Sequence, residues 1–130
     1  MPSSEDDWAR ARLGAEWAST LERLAVLRAD FAGLVAASDD SNADDEHDPE
    51  GSTIAFERSQ LGALVQQAQR HLEDIADAQL RLADGRYGLC ESCDRPIAQA
   101  RLEARPVART CIACASSRDG SPGRPHSARR

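Results

Sequence analysis

Cys90-Glu91-Ser92-Cys93 and, after seventeen intervening residues, Cys111-Ile112-Ala113-Cys114 hold the only four cysteines of a 130-residue chain. Each pair places two sulfurs on one tight turn. The segment 94–110 is long enough to fold back and bring the pairs together. This is the spacing of a four-thiolate structural zinc site, tetrahedral with Zn–S bonds of about 2.3 Å. A redox Cys-x-x-Cys usually opens a helix within a βαβ unit and occurs once. Two pairs and no βαβ pattern favour one structural Zn2+ over a thiol oxidoreductase. The expected ligands are Cys90, Cys93, Cys111 and Cys114. They fill every position of the tetrahedron and leave none for a catalytic water, so no enzyme is expected here.

Upstream of the knuckles the chain reads as two long helices. Leu13, Trp17, Thr20, Leu24, Leu27, Phe31 and Leu34 recur at alternating steps of four and three. That is a heptad seam, with Leu21 and Val35 widening it. Ser4, with Asp7 three residues on, looks like the helix start. Leu61, Val65, Ala68, Leu72, Ile75, Gln79 and Leu82 repeat the same steps, up to Asp84-Gly85, where glycine suits the left-handed residue that ends a helix. Asp48-Pro49 has the form of an N-cap followed by proline at the first helical position; Ser52 or Thr53 is the competing cap. Two such helices bury their seams by folding on each other. The expected product is an antiparallel coiled-coil hairpin of about thirty residues per arm, roughly 45 Å long.

Between the helices, residues 38–51 carry seven acids and no base. They form a solvated connection and not core. On the plainer reading such a run only solubilises the hairpin, as most charge runs do. Its place at the far end of a rod offers a second reading, in which its carboxylates approach a partner's Mg2+ or a basic groove. Segment 94–110 contains two prolines and is read as short extended pieces held by the metal, with a short helical stub possible after Cys114. From residue 117 the chain is polar, basic and rich in Gly, Pro and Ser, and is expected to be disordered.

Composition limits the alternatives. Aromatics are 4% of the chain, too few for a large globular core. No run of eighteen apolar residues exists, so no membrane span is expected. The acidic start Met1–Asp7 lacks an apolar stretch and is not a signal peptide, so a cytoplasmic location is expected. All sixteen basic residues are Arg. Residues 1–89 hold 8 Arg against 18 acids; residues 90–130 hold 8 Arg against 4. Only the finger and tail could attract nucleic acid. Arg95, Arg101, Arg105 and Arg109 could touch phosphate, but no aromatics interleave them and no basic recognition helix follows. His47, His71 and His126 lie away from ligand spacing and are read as solvated.

The run Tyr87-Gly-Leu-Cys-Glu-Ser-Cys-Asp-Arg-Pro-Ile97, continuing through Arg101-Leu-Glu-Ala-Arg-Pro106 to Cys111-Ile-Ala-Cys114, resembles the DksA/TraR family of bacterial zinc-finger proteins. The upstream helix–acidic tip–helix order is similar too, so the resemblance covers about residues 4–115. It implies a regulator that binds core RNA polymerase, not DNA. Family members insert the hairpin into the secondary channel towards the Mg2+-bearing active centre and modulate initiation; the finger packs at the hairpin base. The four thiolates carry over to Cys90, Cys93, Cys111 and Cys114. The tip pattern Asp-x-x-Asp-x-Ala, aligned on Asp-Pro, falls on Asp48, Gly51 and Thr53; a shifted frame places its acids on Asp45 and Asp48. Positions that in DksA carry basic residues for the alarmone ppGpp hold Gln67, Asp74 and Ala115 here. Weak or absent ppGpp co-binding is therefore expected.

The expectation is a mainly α chain. Its hairpin spans 4–85 with a tip at about 38–52, its C4 zinc finger 86–116, and its disordered tail 117–130. The tip residues Asp44, Asp45, Asp48 and Glu50 are the candidates for contact with the polymerase active centre. A monomer is expected, with no sequence-specific DNA binding. The alternative is a zinc-ribbon nucleic-acid-binding protein.

Overall fold

The structure is a computed structural model that describes residues 3–42 and 49–120. Among these residues there are four helices and no strand: α1 (Ser4–Asn42), α2 (Pro49–Ala83), α3 (Gln99–Ala104) and α4 (Ile112–Gly120). A single antiparallel bridge pairs Leu89 with Pro96. The chain divides into two compact units. One is Gly14–Ala76; the other is the described part of Met1–Leu13 and Asp77–Arg130.

Gly14–Ala76 is the helical hairpin. Glu16 of α1 meets His71 of α2, and Phe31 meets Gly62, so the helices run antiparallel. Thr20, Leu24, Ala68 and Ile75 are buried on the seam, as the heptad spacing requires. Thr20 is polar, and its hydroxyl is satisfied by donating to the Glu16 carbonyl one turn back at 2.7 Å. Leu21 does not widen the seam. It is exposed, because its position points to the flank, where no third helix covers it among the described residues. His71 is not simply solvated: its Nε2 lies 3.0 Å from Glu16 Oε1, and both side chains are half-buried.

In the second unit the buried faces of both long helices depart from the heptad. On α1 Leu13 is buried as the heptad requires, but the residue buried before it is Ala9, a step of four where the alternation calls for three. On α2, Gln79 is exposed, while Ala78 and Arg81 are buried in its stead. The finger belongs to this unit, with Trp8 of α1 packed on its core and Asp77 of α2 bonded to its Arg109. Helix α2 closes with a Schellman motif. Gly85 takes φ 77°, its N–H donates to the Leu82 carbonyl, and the Arg86 N–H donates to the Arg81 carbonyl.

Several boundaries move. The α1 cap is Ser3, not Ser4: the Asp6 N–H donates to Ser3 Oγ at 3.0 Å, and the Ser3 N–H points back at Asp6 Oδ2 at 3.4 Å. Reciprocal bonding of this kind is a capping box. Helix α1 continues to Asn42, five residues into the stretch read as connection. Charge does not break a helix as Gly or Pro does. Helix α2 begins at Pro49, so the Asp-Pro reading holds over Ser52 or Thr53. Segment 94–110 is not merely extended, since α3 occupies its middle between the two prolines. Helix α4 extends the expected stub to Gly120, past residue 116. The tip acids Asp44, Asp45 and Asp48, with His47, lie outside the described residues, as do residues 121–130. Glu50 falls in the first turn of α2.

Candidate metal centre

The first knuckle is built by backbone bonds that begin at the end of α2. Gly88 takes φ 84°, a conformation that disfavours any Cβ. Its carbonyl accepts from the Ile97 N–H at 2.7 Å. The Cys90 N–H donates to the Arg95 carbonyl at 2.8 Å, and the Asp94 N–H returns to the Cys90 carbonyl at 2.9 Å. Asp94 turns the corner with φ 63°, a left-handed position that Asp tolerates better than most residues. The second knuckle leads straight into α4, where the Ala115 N–H donates to the Cys111 carbonyl. One bond ties the knuckles together, from the Glu91 N–H to the Arg109 carbonyl at 2.8 Å.

This scaffold brings together the four sulfurs that the sequence singled out. All four Sγ atoms lie within 4.8 Å of one another, and Cys93 Sγ to Cys111 Sγ is 3.9 Å. A tetrahedral zinc with bonds of about 2.3 Å needs S···S edges of about 3.8 Å. The set fits. A disulfide, at about 2.05 Å, does not describe these separations, and all four cysteines are free. The N–H of Ser92 points at Cys90 Sγ at 3.4 Å.

The sulfurs differ in how readily they ionise. Burial works against the Cys90 thiolate, but backbone N–H groups of Cys111, Cys93 and Ser92 bring it down to about 6. Cys114, facing the sulfurs of Cys111 and Cys90, is pushed up to about 12. Four close sulfurs cannot all shed protons without a compensating charge, which a divalent cation supplies.

A small core stands behind the centre. Cys90, Ile97, Leu102 and Ala108 are buried together, and Trp8, Tyr87, Cys111 and Cys114 pack against them. The Tyr87 hydroxyl donates to the Pro106 carbonyl at 2.8 Å. Arg101 Nε donates to the Thr110 carbonyl at 2.8 Å. Arg109 donates to Asp77 Oδ2 on α2 at 2.6 Å and to Glu91 Oε2 at 3.2 Å. Two of the four finger arginines thus bond within the fold, which counts against reading all four as a phosphate-binding row.

Three contributors were not singled out from the sequence. Trp8 is out of step with the heptad that begins at Leu13. Arg81 is a charged residue on a face that should be apolar. Asp77 resembles any solvated helix acid until Arg109 is brought to it.

The prokaryotic DksA/TraR C4-type zinc-finger model matches residues 85–120. The finger is that of the DksA/TraR family. Its four cysteines hold one structural zinc. The chain is 37% identical over 78 residues to Bacillus subtilis "Uncharacterized protein YteA", covering 60% of this chain and 32% of that one. It is 32% identical over 72 residues to "General stress protein 16O" of the same organism, covering 55% and 44%. These matches take in less than half the length of the curated relatives. The structure resembles that of the transcription factor DksA2 from Pseudomonas aeruginosa, with a TM-score of 0.75. Identity there is 22%, over 95% of this chain and 90% of that one, and the likeness is one of fold. Among the described residues, no helix is long and apolar enough to cross a membrane.

Proposed function

We propose that this chain is a transcription regulator, not an enzyme, that binds RNA polymerase directly and works through the acidic connection between α1 and α2. The observation that carries the reading is a DksA/TraR finger on a chain whose two long helices pack antiparallel. In this reading the zinc centre does no chemistry: four protein sulfurs complete its tetrahedron. The finger's work is to hold the ends of the hairpin helices, through Trp8 on α1 and Asp77 on α2. The acting groups are Asp44, Asp45, Asp48 and Glu50. Carried into the secondary channel, their carboxylates would meet the hard Mg2+ of the active centre or the basic groups around it.

The family's alarmone partner ppGpp is not expected to bind with this chain. Gln67, Asp74 and Ala115 offer no positive charge at the three positions, and Asp74 would repel phosphate. The protein is proposed to act in the cytoplasm as a monomer, with core polymerase as partner and without sequence-specific DNA binding.

Co-purification with core polymerase tests the proposal. The chain should be retained, and Asp45→Asn with Asp48→Asn should abolish its effect on initiation while leaving retention intact. Failure to be retained would refute the reading. Steeply salt-dependent binding to duplex DNA alone would favour a nucleic-acid-binding finger in its place.

A further inference from the structure

Arg81 is 5% exposed, and its two terminal nitrogens are enclosed with no hydrogen-bond partner among the described residues. A buried guanidinium normally forms several bonds, and an uncompensated buried charge is costly. Its surroundings explain how it is tolerated. Arg81 sits in the last turn of α2, at the negative end of the helix dipole. Asp77 lies one turn back on the same helix, at the i, i+4 spacing where side chains meet. Glu91, in the first knuckle, shares the Arg109 guanidinium with Asp77, so both carboxylates converge on one place. Asp77 and Glu91 both act favourably on the Arg81 charge, while Arg109 opposes it. Two cations and two carboxylates therefore occupy this junction. Both carboxylates bond to Arg109, the more exposed of the two cations.

We propose that Arg81 is a positioning residue, the reserve cation of a four-charge clamp that holds the first knuckle on α2. Asp77 and Glu91 can pass from Arg109 to Arg81 without leaving the cluster. Arg109 can then be drawn off by solvent or an acidic partner while the knuckle stays on the helix. Glu91 is the neighbour of the ligand Cys90, and Arg109 precedes Cys111 by two residues. The clamp therefore steadies both halves of the metal centre. This inference does not rest on the polymerase reading.

The test is a double-mutant cycle read by zinc release to a chromogenic chelator from the full-length zinc protein. Arg109→Gln alone should speed release only slightly, because Arg81 takes over the carboxylates. Arg109→Gln in an Arg81→Gln background should speed it at least about threefold more than the two single effects multiplied together. Asp77→Asn should shrink this coupling, since it removes the carboxylate the two cations share. Should Arg81→Gln fail to fold, Arg81→Met takes its place in the cycle. Single effects that simply multiply would overturn the proposal. So would slower release in the Arg81 variant alone, which would show the buried cation to be a burden and not a grip.

Discussion

Replacing Cys111 by serine removes one of four ligands while leaving side-chain volume and the start of α4 almost unchanged. Among the described residues the finger buries Ile97, Leu102 and Val107, with the smaller Cys90 and Ala108. Full burial of three such aliphatic side chains stabilises by roughly 5–9 kcal/mol together. A structural zinc in finger peptides contributes about 10–16 kcal/mol at neutral pH. The metal outweighs the apolar core, and the core cannot hold the fold without it. The knuckle-to-knuckle bond from Glu91 to the Arg109 carbonyl then loses its support, and with it the placement of Arg109 on Asp77. Trp8 reports the collapse because it packs on this core. Cys111→Ser should bind less than one zinc per chain, shift tryptophan emission to the red and lose the finger's share of the thermal transition. A variant that keeps one tightly held zinc, the native emission and the native melting curve would refute the reasoning.

Leu13 has no solvent exposure, and Leu13→Ala should cost about 2–5 kcal/mol in denaturant unfolding, as buried leucines do. A cost below about 1 kcal/mol would mean that the base of α1 is not packed as described. The Tyr87 phenol is pushed above its ordinary value of 10.0, first by burial and with Arg81 and Arg12 opposing. A raised folded value favours the protonated form, so its contribution is intact below about pH 10 and is lost as pH rises through the folded value. Tyr87→Phe should cost about 1 kcal/mol at pH 7 for the lost bond to Pro106 and should flatten this alkaline decline. An unchanged slope above about pH 10 in that variant would assign the decline to other groups.

The hairpin and the metal centre were legible because each rests on a strong periodic or spacing signal. The heptad steps from Leu24 to Leu34 and from Leu61 to Ile75 describe a partner helix with the same repeat. The cysteine pairs describe a metal geometry that few other arrangements satisfy. What escaped lies where a third element meets the helices. Ala9, Ala78 and Arg81 are buried off the heptad positions, at the end of the helices that shares a compact unit with the finger. Helix α3 escaped because a six-residue helix between prolines is too short to show periodicity. The end of α1 escaped for another reason. An acidic, Ser-rich run reads as connection, yet once α1 is nucleated each added residue gains a backbone bond at little cost. The Ser3 cap differed from the expected Ser4 because the next residue in the chain offers the same hydroxyl and a matching acid.

The central claim is that the chain meets RNA polymerase with the acidic connection between α1 and α2. A photo-crosslinking amino acid at position 45 of the full-length zinc protein, mixed with the organism's own core polymerase, tests it most directly. The expected result is a crosslink to the polymerase subunit that carries the catalytic Mg2+, lost when the secondary channel is blocked. Crosslinks confined to the outer surface, or none in a complex that still forms, would contradict it.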